Sequence, residues 1–123
     1  MESNTELKTK NLALKTIGID KYFHEPNDFH VLKNISFEVQ KGELLTLVGK
    51  SGCGKSTLLY ILSTMDRNYT GELYIDNQLM SNLSIDELAA IRNEKIGFVF
   101  QFHYLLPEFS CLKNVMIPAL KLG

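Results

Sequence analysis

The sequence predicts an α/β fold that joins an antiparallel β part to a parallel-sheet core. Three observations carry this prediction. Ile35, Phe37 and Val39 alternate strictly with Ser36, Glu38 and Gln40, the pattern of a strand with one wet face. Leu44–Val48 and Ile96–Phe100 are nearly continuous apolar runs, as expected of strands buried on both faces in a parallel sheet. Between the first run and an amphipathic helix stands a glycine-rich segment, Gly49–Gly54.

Along the chain, residues 1–11 are polar and expected to be frayed. Residues 12–123 read as one folded unit without a linker. Apolar residues at 12, 14, 17 and 19 predict a strand over Leu12–Ile19. Glu25-Pro26-Asn27-Asp28 reads as a turn, and Lys41-Gly42-Glu43 as a tight one. Leu58, Leu59, Ile61, Leu62 and Met65 fall at helical spacing, so a helix is expected over Ser56–Met65. Leu73 and Ile75 alternate with Glu72, Tyr74 and Asp76, predicting a half-exposed strand. Ser84 with Glu87 three residues on forms a capping box that opens a helix over Ile85–Asn93. Ser110 could cap a last helix over Leu112–Val115, which Pro118 would disturb.

Composition excludes several function classes. The chain has 123 residues, 45% hydrophobic and 22% charged, with net charge −1. That balance offers no bulk attraction for nucleic acid or a lipid surface. No apolar run approaches the ~20 residues of a membrane span. The N-terminus lacks the basic and apolar regions of a secretory signal. Cys53 and Cys111 have no metal-ligand spacing, so two free thiols in a cytosolic protein are expected. His24, His30 and His103 are scattered and read as loop or surface residues.

Gly49-Lys50-Ser51-Gly52-Cys53-Gly54-Lys55-Ser56-Thr57 fits the phosphate-loop pattern G-x-x-x-x-G-K-S/T without mismatch. Glycines let successive backbone N–H groups turn inward around a phosphate with no Cβ in the way. The helix that follows adds its positive N-terminal end. Lys55 is placed to reach the β- and γ-phosphates of a nucleotide, and the Ser56 hydroxyl to coordinate Mg²⁺. A chance glycine-rich turn would lack the buried strand before and the amphipathic helix after.

Several further motifs stand in order around this loop. They are Leu32-Lys33-Asn34-Ile35-Ser36-Phe37, Lys41-Gly42-Glu43, Thr70-Gly71-Glu72 and Ile96-Gly97-Phe98-Val99-Phe100-Gln101. Together they resemble the first half of an ABC ATPase, over about residues 12–123. Met65-Asp66, the Ser81–Asn93 stretch and Gln101-Phe102-His103-Tyr104-Leu105-Leu106-Pro107 are most similar to the lipoprotein-releasing and macrolide-exporter group. The run Glu108–Pro118 most resembles the lipoprotein-releasing member.

The resemblance implies a P-loop NTPase core with an antiparallel β subdomain. It implies ATP and Mg²⁺ as cofactors and Gln101 as a ligand of Mg²⁺ or water that links to a membrane subunit. It implies Tyr22 as the aromatic that stacks on adenine, with Phe23 a rival one residue on. It also implies an integral membrane transporter subunit as partner, a homodimer of nucleotide-binding subunits, and a peripheral place on the inner face of the cell membrane. Hydrolysis in the family further needs a Leu-Ser-Gly-Gly-Gln type loop, a Walker B aspartate with a catalytic glutamate, and a switch histidine. None of these occurs here. Leu73-Tyr74-Ile75-Asp76 is rejected as Walker B because it alternates and Asn77 follows it.

The expectation is an N-terminal portion, ending before the helical subdomain and the Walker B strand and inactive by itself. The alternatives are a P-loop small-molecule kinase and a non-catalytic nucleotide-binding remnant. The cluster Phe102, Tyr104, Leu105, Leu106 and Phe109 around Pro107 is either a core patch or a docking surface, and docking is favoured.

Overall fold

The computed structural model describes residues 11–50, 52, 54–100 and 105–122. The chain divides into two compact units, residues 1–83 and 84–123.

The first unit is built on a four-stranded antiparallel sheet. Its strands are β1 (Leu12–Phe23), β2 (Phe29–Gln40), β3 (Thr70–Ile75) and β4 (Gln78–Leu79), in the order β2-β1-β3-β4. β1 and β2 outrun their expected limits because the ends of both strands also pair, Tyr22 with His30 and Phe23 with Phe29. The β1–β2 register shifts between Thr16 and Ile19. There the buried Thr16 hydroxyl donates to the Ile35 carbonyl at 3.2 Å and accepts from the Phe37 amide at 3.0 Å. A side chain thus replaces missing ladder bonds, and among the described residues no buried side-chain polar atom is left unpaired.

Asp76 and Asn77 join β3 to β4 with positive φ values of 52° and 64°. Two such residues make the primed turn that matches strand twist. Asp76 also pairs with Lys41 at 3.0 Å. It is therefore a turn acid on an antiparallel hairpin, in keeping with its rejection as Walker B.

The helix α1 (Lys55–Leu62) packs Leu58 and Ile61 against Ile19 and Leu32 of the sheet, and these four residues form a buried core. Among the described glycines, Gly71 has the closest neighbours. At φ +102° a Cβ would stand 2.4 Å from the Gly18 carbonyl oxygen of the neighbouring strand. Backbone cannot yield as a flexible side chain can. Gly71→Ala should therefore destabilise the domain by about 2–4 kcal/mol. Chemical denaturation of the full-length protein would read this as a lowered midpoint, and an unchanged midpoint would refute the close approach.

The second unit holds α2 (Ile85–Lys95) and α3 (Cys111–Leu122). The capping box is formed as expected. The Glu87 amide donates to Ser84 Oγ at 3.2 Å, and the Ser84 amide donates to Glu87 Oε2 at 2.9 Å. Ser110 caps α3 by accepting from the Lys113 amide at 3.1 Å. α3 is longer than expected and runs through Pro118. Proline removes one N–H and crowds one carbonyl, which a helix can survive when its other bonds persist.

The two apolar runs are a correction. Residues 44–48 and 96–100 form no strand. Leu44 is 93% exposed, Val48 85% and Val99 96%. An apolar run becomes a doubly buried strand only when strands on both sides bond it and layers cover both faces. Among the described residues no strand pairs with either run.

Candidate functional site

The glycine-rich loop leads directly into α1. Gly54 is the residue before the helix, with φ 101°, and no side chain caps the helix. A Cβ on Gly54 would come within 2.9 Å of Val31 Cγ1 and 3.0 Å of Leu32 Cδ2. Glycine is thus required twice, for its backbone conformation and for its fit against β2. No acidic residue lies in the first turn of α1. The amides of a helix N-terminus carry positive character toward an anion.

A cavity of about 370 Å³ opens beside this turn, lined by Phe23, Phe29, Val31, Gly52, Gly54, Lys55, Ser56 and Thr57. Among the described lining residues none is acidic and one is a cation. The Lys55 ammonium donates to the Gly49 carbonyl, which ties the first residue of the loop to its last turn. Ser56 is exposed at the mouth. Main-chain donors, one lysine and the hydroxyls of Ser56 and Thr57 on an apolar wall suit a polyphosphate chelated to a divalent cation. A second cavity of about 270 Å³ shares Phe23 and Thr57 with the first and adds Tyr60, Met65 and Asp66.

The expected site residues are not all brought together. Gly49, Lys50, Gly52, Gly54, Lys55, Ser56 and Thr57 lie in the loop and the first turn of α1. Ser51, Cys53 and Gln101 fall outside the described residues, as do Phe102, His103 and Tyr104. Tyr22 does not line either cavity. Its ring stacks on His30, with centroids 4.0 Å apart and planes at 10°. His30 in turn meets Asp20 at 2.8 Å. The Asn34 amide first, and the His30 ring next, hold the Asp20 carboxyl below its ordinary range. Phe23 is the aromatic that faces both cavities. Successive strand residues point to opposite faces, so one of the two adjacent rings meets the loop and the other turns away.

Sequence reasoning did not name Phe29, Val31, Tyr60, Met65 or Asp66 as site residues, although all five line these cavities. Phe29 follows a turn and carries no motif. Tyr60 and Asp66 sit on and beyond α1, where helical spacing marks only the core-facing positions.

Comparison with known proteins now adds the family. The model of the ABC transporter family matches residues 32–121. The chain belongs to the ABC transporter family. Among curated relatives, the lipoprotein-releasing system ATP-binding protein LolD of Bacteroides thetaiotaomicron is 50% identical over 110 residues. That match spans 89% of this chain and 49% of the relative. LolD of Aquifex aeolicus is 47% identical over 95 residues, spanning 77% of this chain and 42% of the relative.

The dimeric post-hydrolysis structure of the ATP-binding cassette MJ0796, bound to ADP and Pi, matches with a TM-score of 0.84 at 38% identity. It covers 89% of this chain and 48% of that one. The chain therefore spans about half the length of the curated relatives it matches. The fold is that of an ABC ATPase cassette, and the kinase alternative gives way.

Proposed function

We propose that this chain is part of the ATP-binding subunit of an ABC transporter of the lipoprotein-releasing group, coupling ATP hydrolysis to a membrane partner. The observation that carries this reading is the uncapped, acid-free first turn of α1 behind an intact phosphate loop, in a chain 50% identical to LolD. In this reading Lys50–Gly54 wrap the β-phosphate with main-chain N–H groups, and Lys55 bridges the β- and γ-phosphates. Ser56 and Gln101 hold Mg²⁺. An aromatic from the end of β1, Tyr22 or its neighbour Phe23, stacks on the adenine.

The ATP-bound subunit pairs with a second copy and sits on the inner face of the membrane through an integral membrane subunit. The dimeric MJ0796 cassette supports the pairing. Among the described residues no helix is long and apolar enough to cross a membrane.

The sequence holds no Walker B pair, signature loop or switch histidine. Phosphate positioning without a group to orient the attacking water gives binding without turnover. These 123 residues alone should release no phosphate from Mg²⁺·ATP above background, whereas the full-length protein should. Malachite-green assays on both would show it. Release from the 123-residue chain that disappears with Lys55→Ala would overturn this reading.

A further inference from the structure

Among the described residues, Lys21 is the charged side chain that is buried: it is 4% exposed, near the end of β1. Burying an ammonium is costly unless its donors are met. Here they are met from one segment. Lys21 Nζ lies 2.9 Å from Asp66 Oδ2 and donates to the Asn68 carbonyl at 2.6 Å. Asp66 is itself fixed, for its Oδ1 accepts from the Asn68 amide at 2.9 Å and its own amide donates to the Tyr60 carbonyl at 3.1 Å.

The pair joins two parts of the site. On one side is the strand end that carries Tyr22 and Phe23. On the other is the turn leaving α1, the helix whose opposite end holds Lys55, Ser56 and Thr57. The Lys21 ammonium also lies 5.2 Å from the centre of the Phe23 ring, and Phe23, Thr57 and Asp66 line one cavity. Among the described residues, the pair's partners are Tyr60, Asn68 and the Phe23 ring rather than the phosphate loop.

We propose that the Lys21–Asp66 pair is a positioning device for the base of the nucleotide. It fixes the distance between the aromatic end of β1 and the phosphate loop. It acts through the backbone of β1 on whichever of Tyr22 and Phe23 carries the base. The inference rests on the proposed base stacking. A purely structural pair would support both ends of the ligand alike, whereas a positioning pair affects the base alone.

Calorimetry on the full-length protein with Mg²⁺·ATP and with Mg²⁺·tripolyphosphate separates these roles. Lys21→Met and Asp66→Asn should each weaken ATP by about tenfold, because a misplaced platform loses its contact. Tripolyphosphate, which has no base, should keep its affinity within about twofold, and Lys21→Arg should restore ATP. Parallel loss of both ligands, or unchanged ATP affinity, would overturn the proposal. If Lys21→Met does not fold, Asp66→Asn carries the same comparison, since it removes the charge that holds the ammonium in place while the Asn68 carbonyl still accepts from it.

The double change Tyr22→Ala, Phe23→Ala tests the reading beneath. If it leaves ATP affinity intact, base stacking itself has failed and the inference falls with it. If it weakens ATP while the Lys21 and Asp66 variants do not, the positioning role alone is refuted.

Discussion

Lys55→Ala should abolish ATP binding by the full-length protein while leaving its melting temperature nearly unchanged. The two halves of this expectation come from different contacts. Within the chain the Lys55 ammonium has a bond to the exposed Gly49 carbonyl, and that carbonyl can turn to water when the amine is gone. Exposed polar bonds of this kind are worth about 1 kcal/mol or less. Toward the nucleotide the ammonium is the cation that lines the described part of the 370 Å³ cavity, and it faces phosphates carrying several negative charges. Charge-assisted bonds are about twice as strong as neutral ones. Losing them to two phosphate groups should weaken binding by about 100-fold or more. Calorimetry would then show no measurable heat at nucleotide concentrations that saturate the unsubstituted protein. Unchanged affinity would remove Lys55 from the site. A large drop in melting temperature would mean that the bond to Gly49 holds the loop together.

The elements that could be read in the sequence are those whose stability is local. Strict alternation from Ile35 to Gln40 needs only one wet and one dry face, and β2 has both. The Ser84–Glu87 box is closed within one helical turn. The phosphate loop was legible because its glycines answer to backbone geometry, as the fit of Gly54 against Val31 and Leu32 shows.

What stayed hidden depends on distant partners. Lys21 looks like a surface lysine until Asp66, 45 positions on, comes within 2.9 Å. The apolar recurrence that predicts β1 stops at Ile19 and does not reach the strand's end at Phe23. The choice between Tyr22 and Phe23 turns on the parity of a strand whose register shifts again between Lys21 and Tyr22, and a pattern of apolar residues does not record such a shift. Leu44–Val48 and Ile96–Phe100 have the composition of buried strands, but composition supplies no neighbour to bond their backbones. Gln101 was named from its place after an apolar run and from the family pattern, and it lies outside the described residues.

Leu105→Asp should leave ATP binding and the melting temperature of the full-length protein nearly intact and should sharply lower its co-purification with the integral membrane subunit. The geometry of the second unit supports this separation. Leu105 is 64% exposed, and Leu106 and Phe109 are each 40% exposed. The loop that carries them does not need these side chains for its shape, because Asn114 holds it from inside α3. The Asn114 amide nitrogen donates to the carbonyls of Leu106, Phe109 and Ser110 at 3.2, 3.3 and 2.8 Å, and its oxygen accepts from the Leu106 amide at 2.9 Å. A backbone braced in this way keeps its form when an exposed leucine becomes an aspartate. Apolar side chains on a preformed loop are available for burial by a partner at little entropic cost. A charge placed among them must be desolvated when the partner docks, and the complex should weaken by about 100-fold. Melting temperature, nucleotide affinity and pull-down would be measured on the same preparation. A variant that melts early and binds no ATP would make the cluster part of the core. A variant that binds both ATP and the membrane subunit as before would place the docking surface elsewhere.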